Sequence, residues 1–156
     1  MINTIVATGI SSLFMEDIHA IDFTMVKLKL QDKEEGLGWD SAECDEAAAE
    51  YKKFLALKRS YPEKEIVPNK QVDLFWHQHI LDTQKYAEDC ETVFGYFLHH
   101  FPYFGMKDKQ DMQNLIDAFE ETKELYALHF TSELTGDAPK CKTHHCRTAC
   151  KPVKCK

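Results

Sequence analysis

From Val72 onward the apolar side chains return at steps of three and four. On a helical wheel at about 100° per residue, Val72, Phe75, Trp76, His79 and Thr83 share one face. A strand would need strict alternation, which this stretch lacks. The same spacing recurs at Phe14, Ile18, Ile21, Met25 and Leu28. It recurs again at Tyr51, Phe54 and Leu55, then at Tyr86, Cys90, Val93, Phe94 and Phe97. Met112, Leu115, Ile116, Phe119, Tyr126 and Phe130 form a last stripe. Residues 26–30 alternate and compete as a strand, but the wider window favours helix. The expected fold is therefore all-α, a compact helical domain of about four to five helices.

Local signals set the expected limits. The first helix should stop by Gly36 or Gly38. Asp40-Ser41-Ala42-Glu43 has the form of a capping box: a carboxylate that accepts from the first turn, and a glutamate that reaches back. The helix it opens should end before Pro62, with residues 62–68 as a connector. Asn69 can cap a helix running to Leu81, and Asp82 can cap another over Thr83–Leu98. An aromatic loop over 99–105 leads to a final helix near Lys107–Glu133, and Gly136 and Pro139 close the body. The expected division is a helical domain over 1–139 and a Cys/His-rich basic tail over 140–156.

The stretch from Pro68 to Gly105 holds four of the eight histidines in the chain. Asp73 and His77 lie one turn apart on the flank of their helix, so a carboxylate and an imidazole can aim at one point. His77 and His79 point about 160° apart on a regular helix, so the H-x-H pair is not itself a simple metal site. His79 sits among apolar residues, as a hydrogen-bonded core histidine or an alternate ligand. If the chain folds back at Leu81-Asp82, His99 or His100 reaches His77. Asp73, His77 and one of those histidines then form a two-histidine, one-carboxylate set, suited to Zn or Fe(II) with positions left for water or substrate. The competing reading makes His99-His100 a polar helix end that complements the helix dipole. The expected metal residues are Asp73, His77, His79, His99 and His100. Trp76, Phe94 and Phe97 read as core, and Cys44 and Cys90 as buried free thiols.

The tail carries Cys141, Cys146, Cys150 and Cys155 with His144 and His145, spaced unlike common zinc modules but able to hold a soft ion. It also holds six basic residues and no acid, so it can lie on an acidic body or partner. A formal net charge of −7 argues against nucleic acid, and no apolar run is long enough to span a membrane. The opening segment lacks the basic start of a signal peptide, and a cytoplasmic location is the expectation.

Several of these residues also resemble a known family, the glycine-rich-domain-containing-protein-like family, and its short bacterial-type members in particular. The resemblance runs over roughly residues 14–105 and rests on Tyr51-x-x-Phe54, then Val72-Asp73-x-x-Trp76-His77-x-His79, Tyr86, Asp89-Cys90 and Phe94-Gly95. It implies a helical domain and brings little function. The glycine-rich segment that names the family is missing, since the chain has six glycines. The functional expectation is a metal-binding helical protein, with catalysis and its residues left open and a small molecule or protein as partner. The alternatives are a non-enzymatic interaction domain with structural histidines, and a metal carrier that uses the tail cysteines.

Overall fold

The computed structural model describes residues 16–130 and 133–139, and all secondary structure among them is helical. The helices are α1 (Glu16–His19), α2 (Thr24–Gln31), α3 (Ser41–Ser60), α4 (Lys70–Leu81), α5 (Thr83–Phe94) and α6 (Lys109–Phe130). The expected lead-in over 1–12, Phe14 and the cysteine-rich tail over 140–156 lie outside the described residues.

The chain divides its first helix where the periodicity predicts a continuous one. Asp22 accepts from both the amide and the hydroxyl of Thr24, at 2.9 and 2.6 Å, which closes a local turn before α2. The break turns Phe23 into the core against Tyr51, Phe75 and His79. It also resets the register, so that Val26 and Leu30 face inward while Met25 and Leu28 are 66% and 54% exposed. Giving up a few intrahelical hydrogen bonds forfeits about 1 kcal/mol net for each. Burying one phenylalanine returns roughly 2–3 kcal/mol, and the Asp22 turn supplies the rest. No strand forms at 26–30.

The capping box at α3 forms as expected: Asp40 accepts from the Glu43 amide at 2.8 Å, and Glu43 accepts from the Asp40 amide at 3.0 Å. The buried face of α3 includes Cys44, Ala47, Tyr51, Phe54 and Leu55. The small Ala47 and Ala48 side chains suit close approach. Helices α2, α4 and α6 all pack against α3. Asn69 caps α4 by accepting from the Val72 amide at 2.8 Å. Its amide also donates to the Thr135 carbonyl at 2.9 Å, which ties the 133–139 segment to the start of α4. On α6 the buried residues are Leu115, Phe119, Thr122 and Tyr126, and the Thr122 hydroxyl accepts from the Val67 amide of the connector at 3.0 Å.

Two expectations around the α4–α5 corner need correction. Asp82 joins the helices, but its side chain caps nothing; its backbone carbonyl accepts from the Tyr86 amide instead. Helix α5 ends at Phe94, not Leu98, because Gly95 takes a left-handed conformation (φ 71°), a common way to end a helix. Phe97, expected in the core, is consequently 45% exposed.

Candidate metal centre

Three side chains from two elements converge beside the corner. Asp73 and His77 come from successive turns of α4, and His100 comes from the irregular segment after α5. The Nε2 atom of His100 stands 2.9 Å from Asp73 Oδ1 and 2.9 Å from His77 Nε2. The second carboxylate oxygen, Asp73 Oδ2, lies 3.4 Å from His77 Nε2. One donor atom from each residue fits within a 4.8 Å span. Asp73 is buried, His100 half-buried and His77 exposed, so the group is anchored on one side and open on the other.

Hydrogen bonding alone serves this arrangement poorly. The two Nε2 atoms can share only one hydrogen between them, and an ionised carboxylate brings none. A cation among them accepts a lone pair from each residue at once. With metal–ligand bonds of about 2.0–2.2 Å, cis donors stand about 3 Å apart in an octahedron and about 3.4 Å apart in a tetrahedron. The His77–His100 and His100–Asp73 Oδ1 separations of 2.9 Å fall in that range, while the 3.4 Å contact to His77 runs from the other carboxylate oxygen, Oδ2. The three residues could together hold a metal ion.

The surrounding side chains position these donors. The His100 ring stacks on Trp76, with centroids 4.2 Å apart and planes at 29°. The Trp76 indole N–H donates to the Tyr86 hydroxyl at 2.9 Å, and that hydroxyl donates to the Leu98 carbonyl. Burial pushes the Tyr86 phenol well up, so it keeps its proton and remains a donor. The backbone two residues before His100 is thus tied to α5, while the ring rests on α4. Trp76 is buried in the core, as read from sequence, and its ring is also the surface on which His100 stacks.

His79 lies apart from the cluster, as the wheel predicts. It is 1% exposed, with Nδ1 2.9 Å from the Tyr51 hydroxyl and Nε2 2.8 Å from Asp89 Oδ2. Burial pulls its pKa down, partly offset by the hydrogen bond and charge of Asp89. Burial also drives the Tyr51 phenol well up. The consistent arrangement is a neutral imidazole whose Nε2–H donates to Asp89 while the Tyr51 O–H donates to Nδ1. Both ring nitrogens are then used, and His79 is a buried structural link between α3, α4 and α5. His99 is exposed, packs on the Phe97 ring with centroids 4.9 Å apart, and stands outside the three-residue cluster.

The cluster opens onto a cavity of about 380 Å³. Asp73, Trp76, His77, His99 and His100 form one side, and Ile66, Val67, Phe101, Phe104 and Leu115 add an apolar wall. Lys58, at the end of α3, and Glu65, on the connector, also line it. Sequence reasoning missed Lys58, although it continues the buried stripe of Tyr51, Phe54 and Leu55, where a lysine is out of place.

Fold and site together define an all-helical protein with an Asp/His/His cluster at the mouth of a cavity. The chain belongs to the UCP032817-like family, an uncharacterised family whose model matches residues 16–122. No curated protein and no solved structure matches it. This family match overturns the resemblance to the glycine-rich-domain-containing-protein-like family, for which no match is found. The residues behind that resemblance have a local physical explanation: Tyr51, His79 and Asp89 form one hydrogen-bonded set and Trp76 and Tyr86 another, joined by the edge contact of the His79 and Tyr86 rings.

Proposed function

We propose that this is a metal-binding protein that holds a divalent transition ion, Zn or Fe(II), through Asp73, His77 and His100. The observation that carries the reading is the convergence of three donor atoms within 4.8 Å, on a base fixed by Trp76 stacking and the Tyr86 hydrogen bonds. Nitrogen and carboxylate donors together suit either ion. Three protein donors would leave coordination positions free, and an ion held there would supply Lewis-acid polarisation of an oxygen of a bound small molecule. His99, on the cavity wall, and His79, at the network behind, support the site without ligating.

The helical domain over 1–139 is the metal-binding unit in this reading, and the basic tail over 140–156 is a separate segment. The buried free thiols Cys44 and Cys90 support a reducing, cytoplasmic setting, and among the described residues no helix is long and apolar enough to cross a membrane. Elemental analysis of the purified protein tests the proposal, on the full chain, on a chain ending at Pro139, and on His100→Ala. The expected result is one equivalent of metal in the first two and none in the variant. Metal lost with the tail assigns binding to the cysteines instead. Protein that stays metal-free after incubation with Zn²⁺ and with Fe²⁺ removes the metal reading altogether.

A further inference from the structure

The group in the cavity that the metal reading does not use is Lys58. It is half-buried, yet among the described residues its ammonium has neither a hydrogen bond nor an ion pair. Desolvation lowers its pKa, and the charge of Glu65 opposes that shift only in part. A lysine carried on a buried helical stripe and facing a cavity, with no hydrogen bond or ion pair among the described residues, is poised to receive a negative group from outside the chain.

The charge balance of the cavity depends on the cluster. With neutral imidazoles, Asp73 and Glu65 supply two negative charges and Lys58 one positive charge, so the lining carries one net negative charge. A divalent cation on Asp73, His77 and His100 reverses this to one net positive charge. An anion is therefore repelled from the metal-free cavity and attracted to the loaded one. The rest of the wall is apolar, with Ile66, Val67, Phe104 and Leu115 alongside the exposed Phe101 ring. A cavity of about 380 Å³ is at the small end of the range for ligand sites.

We propose that the cavity binds a small organic monoanion, a carboxylate on an apolar body, anchored by Lys58 and by the ion at the cluster. The inference rests on the metal reading and names the ligand class for that same site. Metal and anion should bind cooperatively, each raising the affinity of the other by the same factor.

Co²⁺ serves as a probe, because its visible absorption reports both binding and a change in its ligands. The full-length protein is loaded with Co²⁺ and titrated with a series of monocarboxylates from acetate to benzoate, in parallel with Lys58→Met and Lys58→Arg. The wild type should bind the larger members and shift the Co²⁺ spectrum. Lys58→Met should keep its Co²⁺ affinity and lose carboxylate affinity by about tenfold or more, as expected for one charge-assisted contact, and Lys58→Arg should recover part of it. Carboxylate affinity that is the same in Lys58→Met, or the same with and without Co²⁺, overturns the anion site and leaves the metal site standing. So does Co²⁺-loaded protein that binds none of the series. Failure to bind Co²⁺ at all overturns both, and that outcome is recognised by the missing absorption before any carboxylate is added.

Discussion

The Tyr86 hydroxyl donates to the Leu98 carbonyl while accepting from the Trp76 indole, so one phenol joins α5, α4 and the segment that carries His100. Tyr86→Phe removes the hydroxyl and leaves a buried indole N–H and a buried carbonyl without that partner. The expected loss is about 1–3 kcal/mol of stability, read by chemical denaturation. Metal affinity should fall as well, because the His100 backbone is released while all three donors remain. Tyr86→Phe that keeps full metal affinity would show that stacking on Trp76 alone holds His100.

The two histidines of the H-x-H pair should separate cleanly on mutation. His77 is exposed, so His77→Ala should change stability by less than about 1 kcal/mol while metal affinity drops sharply. His79 is buried between the Tyr51 hydroxyl and Asp89. His79→Ala leaves both partners unsatisfied and opens a cavity, for an expected loss of about 3–5 kcal/mol. A His79→Ala protein that still folds should bind metal through the intact cluster. Denaturant titrations and metal titrations on the same two variants decide the matter.

Two glycines with positive φ bracket the His100 segment, and their surroundings differ. At Gly95 (φ +71°) a methyl group would meet nothing within 4 Å, so Gly95→Ala should show only the conformational penalty, about 1–2 kcal/mol. At Gly105 (φ +85°) a Cβ would lie 2.6 Å from Leu115 Cδ2, and the Gly105 amide donates to Asp111 at 2.8 Å. Gly105→Ala should therefore be the more damaging, by about 1–3 kcal/mol beyond the Gly95 change, with Leu115 displaced from the cavity wall. Thermal denaturation of the two variants side by side gives the comparison.

What the sequence makes legible here is local. The Asp40–Glu43 capping box and the Asn69 cap act within three residues, and both form as the residues predict. The separation of Asp73 and His77 from His79 follows from helical geometry alone, and the structure keeps it. What escapes the sequence depends on distant partners. The break before α2 is favoured by the pocket that Phe75, Tyr51 and His79 offer to Phe23, which no local rule contains. That His100 rather than its neighbour His99 joins Asp73 and His77 goes with two distant contacts, the Tyr86 bond to the Leu98 carbonyl and the stacking of His100 on Trp76. The end of α5 is a different case: Phe94-Gly95 carries the helix-stop signal openly, in competition with an apolar stripe that continues through Phe97.

The two described cysteines offer a test of the core that needs no mutation. Burial pushes the thiols of Cys44 and Cys90 above the usual value of 9.0. At pH 8 each should carry less thiolate than a free cysteine, and each is also shielded, so alkylation by iodoacetamide should be slow in the native state and rapid in denaturant. Peptide-level mass spectrometry separates these sites from the tail cysteines. The sign of the linked stability change follows. Above pH 9 an unfolded thiol ionises while the folded one keeps its proton, so the unfolded state binds fewer protons and stability falls as pH rises. Native labelling of Cys90 as fast as in the unfolded chain would place the α5 face in contact with solvent and contradict the packing that supports Tyr86.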